Sequence, residues 1–148
     1  MFRRNFASAI AIILMISSFG FIAPSANAAS CQSATGRIWK LVNKNPDNYK
    51  GKNYWVYGEI TQFDAATGTG SFRADVSGDN KFDGDYFFGG DNSYVFGSSK
   101  TLSKFVNEDV FKACVTVKGS LTYDLAHGGS LTVPKLQVIS IKLLGSTS

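Results

Sequence analysis

The residues YWVYGEIT, 54 to 61, alternate with a period of two, which commits this part of the chain to a strand with one buried face. Tyr54, Val56, Gly58 and Ile60 fall on one side, and Trp55, Tyr57, Glu59 and Thr61 on the other. FDAATGTG then forms a turn, and SFRADV returns with Phe72, Ala74 and Val76 on one face and Arg73 and Asp75 on the other. A later segment, ACVTVKGSL, repeats the pattern with Ala113, Val115, Val117 and Leu121, and Gly119 stands where a side chain is missing. Glycine inside a strand permits a sharp bend, which a barrel of few strands requires. Pro134 in the last strand, SLTVPKLQVISIKLL, demands an edge position or a bulge, because proline donates no ladder hydrogen bond.

Helical spacing occurs before the first strand. Ser33 or Thr35 can cap a short helix with Ile38, Leu41 and Val42 on one face beside Trp39, and Pro46 bars its continuation. TLSKFVNEDVF holds one helical turn before the fourth strand, with Leu102, Phe105 and Val106 as its apolar stripe. The expectation is a mainly β chain: a five-stranded OB-type Greek-key barrel with an N-terminal helix and a short helix before strand four.

Residues 1–28 read as a cleaved export signal, with Arg3 and Arg4, the apolar run FASAIAIILMISSFGFIA and a small-residue site at Ala26-Asn27-Ala28. A membrane-spanning helix is the rival reading, and Pro24 with the AxA ending favours cleavage, leaving no stable span. General secretion is preferred over a twin-arginine route, because Phe2 stands where Ser or Thr is usual and AIAIILMI is very apolar. Residues 29–148 then make one domain, secreted or periplasmic. Removing Arg3 and Arg4 from 15 basic residues against 11 acidic ones lowers the net charge from +4 to about +2. No segment carries the basic stripe that phosphate-led nucleic-acid binding needs.

Cys31 and Cys114, an even count in an exported chain, suggest a disulfide. The chain-entropy treatment values a loop of that length at roughly 4 to 5 kcal/mol. Lipidation of Cys31 is the alternative, although Ala28 stands where Leu is usual and Cys114 would be left unpaired.

The run NPDNYKGKNYWVYGEITQF, then FRADV, then VTVKGSL, then GGSLTVPKLQVISI resembles the tRNA-anti-like branch of the OB-fold proteins. In that branch a helix and a "YKGK" turn lead into the first barrel strand. Its closing "V.V.G" and "P.L.V..I" strands are matched here by Val115, Val117, Gly119, Pro134, Leu136, Val138 and Ile141. The resemblance implies the fold and, through the family's name, nucleic-acid binding; exported members are mostly without assigned function. The acidic stretch SGDNKFDGDYFFGGDN is an insertion relative to that pattern.

Alternation sends Trp55 and Tyr57 outward, where Arg73 and Lys118 are their expected companions in holding a ligand. The favoured reading is instead that Ile38, Trp39, Leu41 and Val42 lie over those rings and bury them, since an apolar helical stripe must pack on something and a Cys31–Cys114 bridge would hold it near the barrel wall. Asp79, Asp83 and Asp85 are weak calcium candidates, since no EF-hand register fits and hairpin loops use the same residues for turn geometry. His127 is the only histidine, in a turn without metal partners. Glu59, Asp64, Arg73 and Asp75 could meet as a nuclease centre, but cross-strand pairing is the more frequent role of such residues. The reading is a non-catalytic binding module without a cofactor. Its partner is unknown, an envelope protein, glycan or peptide being preferred; the alternative, a single-strand nucleic-acid binder, is disfavoured by the near-neutral charge.

Overall fold

The computed structural model describes residues 30–63 and 65–147. The export signal expected over residues 1–28 lies outside them, as does Asp64. Among the described residues no helix is long and apolar enough to cross a membrane.

The elements in order are β1 (Gln32–Ser33), α1 (Gly36–Lys44), a 3-10 turn (Pro46–Tyr49), β2 (Asn53–Gln62), β3 (Ser71–Ser77), β4 (Asp91–Phe96), α2 (Ser99–Leu102), β5 (Asp109–Asp124) and β6 (Ser130–Ser146). Strands neighbour one another in the order β1-β2-β3-β4-β6-β5, and β5 pairs back with β2, so β2 to β6 close a five-stranded barrel. Its fourth strand, β5, returns to lie beside its first, β2, which is the Greek-key arrangement. The β4–β6 pairing is parallel and the other barrel pairings are antiparallel. This is compatible with the OB-type barrel expected from the sequence, and α2 precedes the fourth barrel strand as anticipated.

Alternation decides which side chains fill the barrel. Tyr54, Val56 and Ile60 of β2 meet Phe72, Ala74 and Val76 of β3, Phe111, Ala113, Val115 and Val117 of β5, and Leu136 of β6 in one buried cluster. Phe72 packs edge-on against Phe111 with ring centroids 5.5 Å apart. Burial of each such ring or branched side chain contributes roughly 1.5 to 3 kcal/mol.

The two strand glycines answer to different contacts. A Cβ on Gly58 would sit 2.7 Å from Phe111 Cζ, so its absence makes room for that ring on the inner face. Gly119 has φ +97° at a bulge in β5, and a Cβ there would meet Lys50 Cε and Asp47 Oδ1. The turn before β2 is fastened at the same place: Gly51 N donates to Val117 O and Val117 N donates to Lys52 O, both at 2.9 Å. Pro134 pairs with Ser120 at that bulge, one residue before the β4 pairing of β6 begins at Lys135.

Thr35 caps α1, its side chain accepting from Ile38 N. Trp39 and Val42 are fully buried in the barrel core, and Trp39 Nε1 donates to Val76 O at 2.8 Å. The helix therefore seals the barrel instead of lying over Trp55 and Tyr57. Leu41, expected in the buried stripe, is 41% exposed. α2 ends at Leu102, which is buried, so the stripe anticipated through Val106 is not completed and Val106 is exposed.

Candidate functional site

The outer face of β2 carries Trp55 and Tyr57, both half-buried, as alternation requires when Tyr54, Val56, Gly58 and Ile60 point inward. β5 runs alongside with Trp55 opposite Cys114 and Tyr57 opposite Lys112. Lys112 Nζ lies 5.0 Å from the Trp55 ring centroid and 5.4 Å from that of Tyr57, within cation–π range of both. β6 extends the same rows, pairing Cys114 with Ser140 and Lys112 with Lys142.

The far edge of β2 is walled by β1, where Ser33 pairs with Trp55 and Gln32 with Tyr54. Two residues of parallel pairing are weak by themselves. The Cys31–Cys114 disulfide, with Cα atoms 5.8 Å apart and a sequence separation of 83, holds this segment in place. Two shallow depressions flank the indole. One of about 260 Å³ includes Thr35, Tyr57, Asp79 and Asn80; the other, of about 340 Å³, includes Ser140, Lys142 and Leu144; Trp55 and Lys112 line both.

Arg73 stands elsewhere. It lies on the outer face of β3 opposite Gln62, five positions along β2 from Tyr57. Its guanidinium sits 3.8 Å from the ring centroid of Tyr123, whose hydroxyl donates to Asn92 Oδ1 at 2.9 Å. Tyr123 comes from the part of β5 that runs on beyond the barrel into the β5–β6 hairpin, so this cluster ties the hairpin to β3 and β4. On the same outer face Tyr94 and Phe96 stack at 6.2 Å, with Lys135 Nζ 5.3 Å from the Phe96 centroid. Lys118 is exposed beside the Gly119 bulge, past Thr116, which pairs with Asn53 at the start of β2. Neither Arg73 nor Lys118 joins Trp55 and Tyr57.

The acidic loop is organised by its own backbone. Asp83 Oδ1 accepts from Asp85 N at 3.0 Å and Tyr86 N at 2.8 Å, and these bonds hold its carboxyl below the ordinary carboxylate value. Asp79 faces Gly36 at the start of α1. Among the described residues no group of three or more His, Cys, Asp or Glu side chains converges as a metal site, so Asp79, Asp83 and Asp85 are not assembled into one. Glu59 and Asp75 are direct cross-strand partners. Burial, and then the nearby Glu59, raise the Asp75 carboxyl above its ordinary value, against a hydrogen bond from Asn92. His127 is exposed in the hairpin turn.

Sequence reasoning missed Lys112, Lys142 and Tyr123. Lys112 and Cys114 share a face by alternation in FKACV, so the expected disulfide could have flagged Lys112 as its neighbour. Lys142 and Tyr123 reach their positions through strand register, which no local pattern encodes. Comparison with known proteins gave no matching family model, no matching curated protein and no matching solved structure.

Proposed function

We propose that this chain is an exported, non-catalytic binding module built on an OB-type barrel, engaging an envelope protein, glycan or peptide through surface aromatic side chains. The observation that carries this reading is the outward Trp55–Tyr57 pair with Lys112 lying over both rings. Half-buried rings with a cation beside them and concave ground on either side suit a ligand that brings an apolar face and polar groups together. The disulfide agrees with an oxidising compartment. The likeness to the tRNA-anti-like branch rests on the turn, bulge and closing-strand residues, whose packing around Gly51, Val117 and Gly119 is consistent with it.

Immobilised wild-type protein is expected to retain a partner from envelope extract that Trp55→Ala fails to retain at an unchanged melting temperature. Equal retention by both proteins would refute the assignment of the platform.

Single-strand nucleic-acid binding is the second reading, favoured by the Tyr94–Phe96 stack with Arg73 and Lys135 nearby on β3, β4 and β6. It requires an oligonucleotide affinity that falls steeply with salt, and no measurable binding at low salt removes it. Plasmid DNA is expected to stay intact with calcium or magnesium present, and cleavage would overturn the non-catalytic assignment.

A further inference from the structure

Lys112 and Lys142 are directly opposed on β5 and β6. Like charges at such positions destabilise a sheet. Among the described residues neither lysine has a carboxylate within ion-pair distance, the ion pair there being Lys50–Asp47. The packing of the barrel does not call for a second cation at this point, since both side chains are on the outer face. An anion between the two ammonium groups would turn the repulsion into attraction.

The depressions beside Trp55 also do not end there. The one containing Tyr57 shares Asp79 with a third, of about 580 Å³, along the exposed face of α1. That third depression is lined by Lys81 of the loop after β3 and by Arg37, Lys40 and Lys44, which share one side of α1 and form a short basic row that the expectation of no basic stripe had left out. The three depressions adjoin in series, two meeting at Trp55 and Lys112 and the next two at Asp79, with cations at both ends and the indole between.

We propose that this track binds an acidic polysaccharide, with the C–H face of a sugar ring stacked on Trp55 and carboxylate or sulfate groups held by Lys112 with Lys142 and by the α1 cations. The proposal deepens the aromatic-platform reading of the site and rests on it. Asp79 and Asp91 also line the track, Asp91 being bonded by Asn43 Nδ2 at 3.0 Å. A net charge near +2 and a disulfide suited to an oxidising compartment favour a glycan over a nucleic acid.

Affinity electrophoresis of the exported chain tests this in gels carrying polygalacturonate, alginate or chondroitin sulfate. Dextran and galactan serve as neutral counterparts and oligo-dT as a second polyanion. The expected result is retardation by at least one acidic polysaccharide and little by the neutral ones. Losing one charge-assisted contact in Lys142→Gln or Lys40→Gln should weaken that binding about tenfold at an unchanged melting temperature. Equal retardation by neutral polymers, unaffected by Lys142→Gln but lost in Trp55→Ala, overturns the requirement for acid and leaves the aromatic platform standing. Stronger retardation by oligo-dT than by every acidic polysaccharide overturns the polymer class. No retardation by any polymer overturns the track itself, while partner capture from extract still tests the platform separately.

Discussion

The Tyr123 and Trp55 clusters on the barrel's outer face each pair an aromatic ring with a cation, and they are finished differently. At Tyr123 the Arg73 guanidinium lies 3.8 Å from the ring centroid and the phenol is bonded to Asn92, so ring, cation and hydroxyl are all engaged by the protein. At Trp55 one lysine is shared between two rings at 5.0 and 5.4 Å, and open depressions remain on both sides. The first cluster is complete and fastens a hairpin. The second has been left with capacity for something else. The pairing of a ring with a cation therefore does not single out a binding site by itself; the proposed platform rests on the unfilled ground around Trp55.

The ways the clusters are secured also differ, and this orders the expected effects. The wall of the Trp55 site is covalent, so Cys31→Ser with Cys114→Ser should cost about 2 to 5 kcal/mol in urea unfolding. Partner binding should fall with it as β1 comes away. Unchanged stability would mean that β1 holds without the bond. Tyr123→Ala removes a stacked cation contact and a hydrogen bond, for a loss of about 1 to 2 kcal/mol with partner binding retained. Loss of binding in that variant would make the Tyr123 cluster part of the site and erase the distinction. Trp55→Ala should change stability by less than about 1 kcal/mol, because its ring is half-exposed, while abolishing retention on the ligand.

The smallest effect concerns Asp75, between the two clusters. Its carboxyl is raised above 3.8 chiefly by burial and secondarily by Glu59. A carboxyl whose folded value is raised is penalised when both states are ionised, and the penalty disappears as pH falls through the raised value toward 3.8. Asp75→Asn should therefore raise the melting temperature slightly at pH 7, with the gain shrinking as pH falls through the raised value and gone below about 3.8. A gain that persists unchanged in acid would contradict the assignment.

The barrel was legible in the chain because its code is local. The alternation of Tyr54 to Ile60, the glycines at 58 and 119, and Pro134 each state a backbone requirement that neighbours in sequence reveal. The outward direction of Trp55 followed from the same alternation, and the disulfide from counting cysteines. The membership of the site did not follow. Arg73 was assigned to Trp55 by sharing a face, yet register places it beside Gln62 and Tyr123 instead. Lys112 and Lys142 arrive from strands far along the chain, and one residue of slip would have turned either inward. The helix misled in the same way: its apolar positions require burial, but periodicity does not say that Trp39 enters the barrel and bonds Val76 O.

Acrylamide quenching of the two tryptophans tests the account most directly, since Trp39 is 1% exposed and Trp55 stands half-open on the outer face. The account predicts one readily quenched component and one protected component in the wild type. Trp55→Phe should leave only the protected emission at a melting temperature close to the wild type's. A variant whose remaining emission is still readily quenched, or whose melting temperature collapses, would place Trp55 inside the fold and contradict the open platform.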